Sequence, residues 1–370
     1  MREKRQKLAV VVGRFQPFHA GHLDLLRHAA QEADHLLILV GGAWRPRSWR
    51  NPFTYEERRS FIEAHLETAD LGVGAAILPL LDTLYSDRAW TANLRLAVRR
   101  RLRALGLEPE KVEIRLFGHE KDSSSRYLRW FPEWSWRDAP PHLHQGEVVS
   151  ATDLREAAFL GALTPADAGR FGALSLALLR DWTRRHQAEA GRLRAEGAYL
   201  REYRAKIRAA EAAFGWPIAI NTVDAVVVQS GHALLVRRGV APGEGLWALP
   251  GGHLSPGETA LDACLRELYE ECRLDAPRGA VAARLKGRRV FDHPERSERG
   301  WVRTEAFFFE LEDRPRLEKI KAGDDAAEAF WIPLAEITPE RMFEDHFDIL
   351  QAFAPEAPLA YGPLLMAHGV

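Results

Sequence analysis

Cysteine is nearly missing from this chain: two residues in 370, Cys264 and Cys272. They stand eight apart in one stretch of helical periodicity, along a single rod, which a disulfide cannot bridge. No metal-binding spacing accompanies them, and the lack of a disulfide framework points to a reducing compartment. A charge excess is missing too. Lys and Arg number 51 against 52 Asp and Glu, a formal net charge of −1. That balance excludes a generic nucleic-acid or membrane-surface binder, while local basic clusters still suit small anions. Long apolar runs are absent: after the basic start "MREKRQK" only about five apolar residues follow, against roughly seven to fifteen in a secretory signal and about twenty in a membrane span. The expectation is a soluble, cytoplasmic protein. There is no internal repeat, no low-complexity tail and no G-x-x-x-x-G-K-[ST], so any bound phosphate must be held without a P-loop.

What is present suffices for two domains. "LAVVV" (8–12), "HLLILV" (35–40), "AAILPL" (75–80) and "KVEIRLF" (111–117) read as strands, and 22–33, 55–68 and 88–104 show helical periodicity between them. The alternation predicts an α/β, Rossmann-like doubly wound parallel sheet, with ligands at the carboxyl ends of its strands. The loops "GRFQPFH", "GGAWRPRSWRNPF" and "GHEKDSSS" should converge there. The Ala-, Arg- and Glu-rich stretch 184–214 reads as a helical connector, stopped by "GWP" (215–217). "IAINTVDAVVV" and "ALLVRRG" then predict a second sheet, antiparallel or mixed. The expected domains are 1–184 and 216–370, with 185–215 between them.

In the first domain, His19 leaves the loop after the first strand and His22 sits in the first turn of a helix. Free N–H groups and the macrodipole draw anions to such a terminus. Two imidazoles there can clamp a polyphosphate, although a histidine at a helix start also commonly just caps or packs. "GRFQPFHAGH" resembles the H-x-G-H nucleotidylyltransferases, and in this form the nicotinamide-mononucleotide adenylyltransferases. "GGAWRPRSWRNPFTYEER" (41–58), "YSDRAW" (85–90) and "SATDLR" (150–155) resemble further segments of that family, in order. The resemblance implies ATP as substrate, with His19 and His22 on its phosphates, Arg14 and Arg50 nearby, and Ser150, Thr152 and Arg155 on the β- and γ-phosphates. Trp90 would stack on the nicotinamide, and Gly118, Lys121 and Asp122 would lie near the adenosine. Arg58 would join them, or serve as a surface or ion-pair residue. Ala151 departs from the family by removing one hydroxyl.

In the second domain, "GGHLSPGETALDACLRELYEECRL" (251–274) places Glu267, Glu270 and Glu271 at i, i+3 and i+4 on one helix face. Packed carboxylates destabilise a bare helix, and clustered hard oxygens suit Mg²⁺ or Mn²⁺. The stretch resembles the Nudix box at Gly252, Glu258, Arg266, Glu267, Leu268, Glu270, Glu271 and Leu274. That resemblance implies an α/β/α Nudix domain with a mixed sheet, Mg²⁺ or Mn²⁺ on Glu267, Glu270 and Glu271, and Arg266 orienting a glutamate. Glu267 and Glu271 would be catalytic. Arg273 replaces the box glycine, for which an altered helix cap is expected. "FDHPERSERGW" (291–301) and "MFEDHF" (342–347) resemble Nudix domains fused to this adenylyltransferase that hydrolyse ADP-ribose, and imply Arg296 and Arg299 on a diphosphate. Trp301 interrupts the Arg-Gly-Arg run expected there.

The joint expectation is a fused enzyme that makes NAD from nicotinamide mononucleotide and ATP and cleaves ADP-ribose to AMP and ribose 5-phosphate, with a divalent metal at both sites. Nicotinic acid mononucleotide stays open as acceptor, as does another nucleoside diphosphate for the hydrolase. A nucleotide-sensing Nudix domain is opposed by the intact glutamates. Pantetheine phosphate is opposed by Trp90 and N-P-F, and a tRNA-synthetase relative by the missing K-M-S-K-S loop. Nucleic acid and membrane are not expected as partners; a homo-oligomer stays open.

Overall fold

The computed structural model describes residues 5–119, 123–161, 163–323 and 326–354. They form two compact units that divide between Arg194 and Ala195. In the first, β1 (Gln6–Gly13), α1 (Ala20–Gln31), β2 (His35–Val40), α2 (Tyr55–Ala69), β3 (Gly74–Pro79), α3 (Asp87–Ala104), β4 (Val112–Gly118) and β5 (Ser135–Asp138) follow in turn. The strands pair in the order β3-β2-β1-β4-β5, all parallel. Strand order reverses between β1 and β4, which opens the crevice where doubly wound sheets bind ligands. Leu8, Val10, Leu37 and Leu39 pack on Leu94, Val98 and Leu102 of α3 in one core. The fifth strand was not expected, because "SWRD" is too short and polar to carry a strand signal.

The helix starts are written locally. Thr54 caps α2 and Glu57 reaches back to the Thr54 N–H, a reciprocal capping box, while Ser86 caps α3. A small pair, β6 (Leu143–His144) and β7 (Glu147–Val148), precedes α4 (Ala151–Phe159), α5 (Asp167–Phe171) and α6 (Ala173–Arg185). Then α7 (Gln187–Phe214) covers most of the stretch read as connector.

The second unit holds a seven-stranded mixed sheet. β8 (Ile220–Gln229) and β9 (His232–Arg238) form a hairpin, followed by β10 (Trp247–Ala248), β11 (Gly251–His253), α8 (Ala260–Cys272), α9 (Arg278–Ala282), β12 (Leu285–Phe291), β13 (Val302–Glu310), β14 (Ala326–Pro333) and α10 (His346–Phe353). β8 runs parallel to β13; the other ladders are antiparallel. Period-two alternation sends Phe307 and Phe309 of β13 into the core with Ala263, Cys264, Leu265 and Leu268 of α8. Phe308, out of phase, meets Phe353 of α10 at 5.7 Å between ring centroids. The sheet therefore carries helices on both faces. Among the described residues, no helix is long and apolar enough to cross a membrane.

The altered cap expected at Arg273 is not what forms. Arg273 itself takes the left-handed conformation, φ 41° and ψ 50°, which a glycine adopts without strain. The chain beyond holds the helix end in place: Lys321 N–H donates to Cys272 O at 2.9 Å and Gly323 N–H to Glu271 O at 2.8 Å. Tertiary hydrogen bonds thus impose the cap on a side chain that disfavours it, by roughly 1–2 kcal/mol. Arg273→Gly should stabilise the second unit by about 1 kcal/mol and raise its calorimetric transition by about 2–4 °C. No change would show that the arginine's own contacts offset the backbone strain.

Candidate active sites

The first site grows from the end of β1. Gly13 has to lack a side chain there, since a Cβ would lie 2.8 Å from the Phe15 ring. Phe15 folds inward and meets His22 edge-on at 5.0 Å. His19 is the N-cap of α1: its Nδ1 accepts from Gly21 N–H at 3.1 Å, while His19 N–H donates to His22 Nδ1 at 3.2 Å. This is a capping box made of two imidazoles, 3.9 Å apart between ring centroids. Capping and phosphate binding, posed as alternatives by the sequence, are compatible. Each Nδ1 is occupied by a backbone donor, so each neutral ring carries its proton on Nε2. Burial, reinforced by His142 and His65, holds the His19 pKa down to about 3.

Around this loop the remaining segments are tied by backbone hydrogen bonds. The amide of Gln16 clamps Phe53 from both sides, accepting its N–H at 3.0 Å and donating to its O at 2.9 Å. Arg155 donates to Gln16 O at 2.6 Å and to the Thr152 hydroxyl at 3.0 Å, and Ser150 caps α4 by accepting from Asp153 N–H. His19, His22, Ser150, Thr152 and Arg155 are thereby linked to one loop. Arg14 is exposed and Arg50 half-buried at the ends of the neighbouring loops. Trp90 starts α3, donates its indole N–H to Asp82 Oδ1 at 2.9 Å, and packs edge-on against Tyr127 at 5.2 Å. Gly118 ends β4, where a Cβ would meet Leu128 at 2.9 Å. Lys121 and Asp122 lie outside the described residues.

Arg58 is a correction. Neither a ligand contact nor a surface residue, it is fully buried, donating to the carbonyls of Arg14 at 2.7 Å, Gly41 at 2.6 Å, Gly42 at 2.9 Å and Thr54 at 3.2 Å. Burial lowers its pKa to about 10, still charged at neutral pH. Its fork is consumed in bracing the carboxyl ends of β1 and β2.

The second site is organised by Arg266. Its guanidinium holds Glu258 bidentately at 2.8 and 3.0 Å, and reaches Glu267 and Glu270, each at 2.9 Å. Glu271, on the same face, accepts from Gly251 N–H at 2.9 Å. Gly252 lets the Glu267 carboxylate lie close, since a Cβ there would sit 2.4 Å from its Oε1 and displace it. Among the described residues no three His, Cys, Asp or Glu side chains converge as a ligand set, since Arg266 draws Glu267 and Glu270 to itself. The donor set nevertheless fits a hard cation. Burial and the charge of Glu267 push the Glu271 pKa up to about 8, and burial raises that of Glu267 as well. A divalent ion would offset both the burial and the repulsion between the carboxylates.

Arg296 is anchored by a partner that its motif did not reveal. Its Nε and Nη2 form a buried bidentate pair with Asp345, both bonds 2.9 Å, and it lines the same cavity as Glu271. Arg299 bonds Glu344 at 3.3 Å and the Ser297 hydroxyl at 3.2 Å, and lines a cavity beside Glu271. Sequence reasoning missed Arg238, Asp224 and His346, which line the same cavity. One signal for Asp224 was available: it is the lone acid in the apolar run of β8.

A parallel nucleotide-binding sheet with a histidine-capped phosphate loop, followed by a mixed-sheet domain with an arginine-bridged glutamate helix, defines a protein with two nucleotide-handling domains. The cytidylyltransferase-like family model matches residues 10–89 and the NUDIX domain model residues 220–353. The chain belongs to the bifunctional family that joins a nicotinamide-mononucleotide adenylyltransferase to a Nudix ADP-ribose pyrophosphatase. A crystal structure of such a protein from Francisella tularensis, complexed with AMP and a manganese ion, matches with TM-score 0.81 and 31% identity over 95% of this chain and 99% of that one. A nicotinamide/nicotinic acid mononucleotide adenylyltransferase from Acinetobacter baylyi is 33% identical over 154 residues, 42% of this chain and 76% of that protein. A nicotinamide-nucleotide adenylyltransferase from Methanolobus tindarius is 38% identical over 86 residues, 23% of this chain and 48% of the relative.

Two consequences are measurable. Arg58→Lys keeps the charge but not the fork, leaving buried carbonyls unpaired at about 1–3 kcal/mol each. It should lower the stability of the first unit by about 2–4 kcal/mol in calorimetry, whereas a surface arginine would cost under about 0.5 kcal/mol. For His19, the folded pKa of about 3 lies below the ordinary 6.5, so between those values the unfolded chain binds more protons. Its contribution to stability is complete above pH 6.5 and is lost as pH falls toward 3, at up to about 1.4 kcal/mol per pH unit. His19→Gln should flatten the decline in stability between pH 6.5 and 4.5, and an unchanged slope would contradict the buried neutral imidazole.

Proposed function

We propose that the first site transfers an adenylyl group from ATP to nicotinamide mononucleotide, giving NAD and pyrophosphate, and that the second hydrolyses ADP-ribose to AMP and ribose 5-phosphate. The likeness to the two-domain Francisella protein across 95% of this chain carries the reading. The assigned domains are 1–184 and 216–370, with 185–215 connecting them. The phosphate of the mononucleotide is already ionised and needs no general base. It attacks the α-phosphorus of ATP in line; the new P–O bond forms as the bond to the β-phosphate breaks, and pyrophosphate leaves. His19 and His22 donate Nε2–H to the phosphates, Arg14, Arg50 and Arg155 supply charge, and Ser150 and Thr152 flank the start of α4. Trp90 stacks on the nicotinamide, and Gly118 lets the backbone approach the adenosine. Placing such donors in advance is what lowers the barrier.

In the second site, Glu267, Glu270 and Glu271 would hold Mg²⁺ or Mn²⁺, which when bound would lower the pKa of water and neutralise phosphate charge. Arg266 keeps the carboxylates on one face, and Arg299 faces the diphosphate. Water adds to one phosphorus while the bridging P–O bond breaks. Nicotinic acid mononucleotide is a second acceptor to test, since the Acinetobacter relative is named for both mononucleotides. Both cysteines are buried free thiols, which supports a reducing, cytoplasmic setting.

The purified chain, assayed with ATP plus each mononucleotide and separately with ADP-ribose and Mg²⁺, should give NAD and AMP respectively. His22→Ala should cut NAD formation about 100- to 1000-fold and spare hydrolysis; Glu271→Gln should do the reverse. Loss of both activities in either variant, with folding intact, would refute two independent sites.

A further inference from the structure

β8 is apolar at its centre except for Asp224. Alternation sends Val223, Ala225 and Val227 into the core beneath α8 and turns Asp224 to the opposite face. There it lines the cavity of the second site together with His346, from the first turn of α10. Asp224 is 5% exposed and His346 6%. Burying an acid in mid-strand is costly unless its oxygens are used. One of them is: the Thr304 hydroxyl donates to Oδ2 at 2.6 Å. The other, Oδ1, faces His346 Nε2 across 3.9 Å, too far for a direct hydrogen bond.

The histidine is held in one tautomer. Its Nδ1 accepts from Leu249 N–H at 2.9 Å, so the proton of the neutral ring is on Nε2. In that form it is a donor and not a base. The cavity wall therefore presents an acceptor and a donor 3.9 Å apart. A single oxygen at about 2.8 Å from each spans that gap, provided it accepts from Nε2–H and gives a proton to Oδ1. A hydroxyl does both. An ionised phosphate oxygen has no proton to give and finds better donors in Arg238 and Arg299 of the same cavity, and an ether or carbonyl oxygen only accepts.

We propose that Asp224 and His346 form a specificity-determining pair that holds one ribose hydroxyl of the nucleotide cleaved beside Glu271. This rests on the hydrolase reading of the same site. The pair sets which sugar is accepted, because a ligand lacking that hydroxyl leaves a buried donor and acceptor unpaired together.

The test is kcat/KM for ADP-ribose and for analogues lacking one ribose hydroxyl in turn, using the full-length chain with Mg²⁺. The wild type should disfavour one deoxy analogue by about 10²- to 10⁴-fold, as sites built around a hydroxyl do. His346→Phe and Asp224→Leu, checked for an intact thermal transition, should each lose about 10²-fold on ADP-ribose and little on that analogue, so the preference collapses. Equal wild-type rates on all analogues would overturn the proposal without any variant. So would a uniform loss on every analogue in the variants, the result expected if the pair holds only a water or a structural contact. No wild-type turnover of ADP-ribose would instead sink the hydrolase reading, and this pair's role with it.

Discussion

The Arg58 guanidinium holds the carbonyls of Arg14, Gly41 and Gly42 together at the carboxyl ends of β1 and β2. Strands of a parallel sheet end in carbonyls that the ladder no longer pairs, and at a ligand crevice water cannot always reach them. A fully buried arginine, braced additionally on Thr54 O, meets that need for two loops at once. With the loops anchored, Gln16 can clamp Phe53 and Arg155 can clamp Gln16, and the histidine cap of α1 stands at a defined place beside them. The groups proposed to face the phosphates are therefore preorganised by side chains that need not touch the phosphates themselves.

The second unit uses an arginine differently. Arg266 is partly exposed and lies among carboxylates, and its bonds to Glu258, Glu267 and Glu270 hold the acidic face of α8 together. Glu271 escapes that arrangement. It is mostly buried against Gly251 N–H, and its pKa rises to about 8. The helix thus keeps one carboxylate short of positive charge next to a cavity bearing Arg238 and Arg299. A site that handles polyphosphates with a cation benefits from this imbalance, because the missing charge comes with the ligand and its metal.

The sheet class, most of the helices and both signature segments were legible because they depend on spacing along the chain. Period-two and period-3.6 patterns, a Thr54-to-Glu57 capping box and three glutamates at i, i+3 and i+4 are all local. What was not legible shares one cause. Arg58, Arg296 and Arg273 were assigned from motif position, and each acts through partners distant in sequence. Arg296 lies 49 residues from Asp345, and the cap over Arg273 is set by Lys321 and Gly323. An arginine's type announces a demand for acceptors but not which acceptors fill it. Asp224 gave a better clue, since a lone acid in an apolar strand has to be used for something.

By itself the sequence determined the two domains, the alternation that makes the first sheet parallel and doubly wound, and the types of residue brought to each site, since these follow from local periodicity and fixed spacing. Only the tertiary structure decided which charges stay available. It spent the fork of Arg58 inside the protein, paired Arg296 with Asp345, set the tautomers of His19, His22 and His346 through backbone donors, and left Asp224 facing a histidine across a gap. Those outcomes depend on packing between segments far apart in the chain, where burial and hydrogen-bond geometry choose among partners that local sequence leaves equivalent.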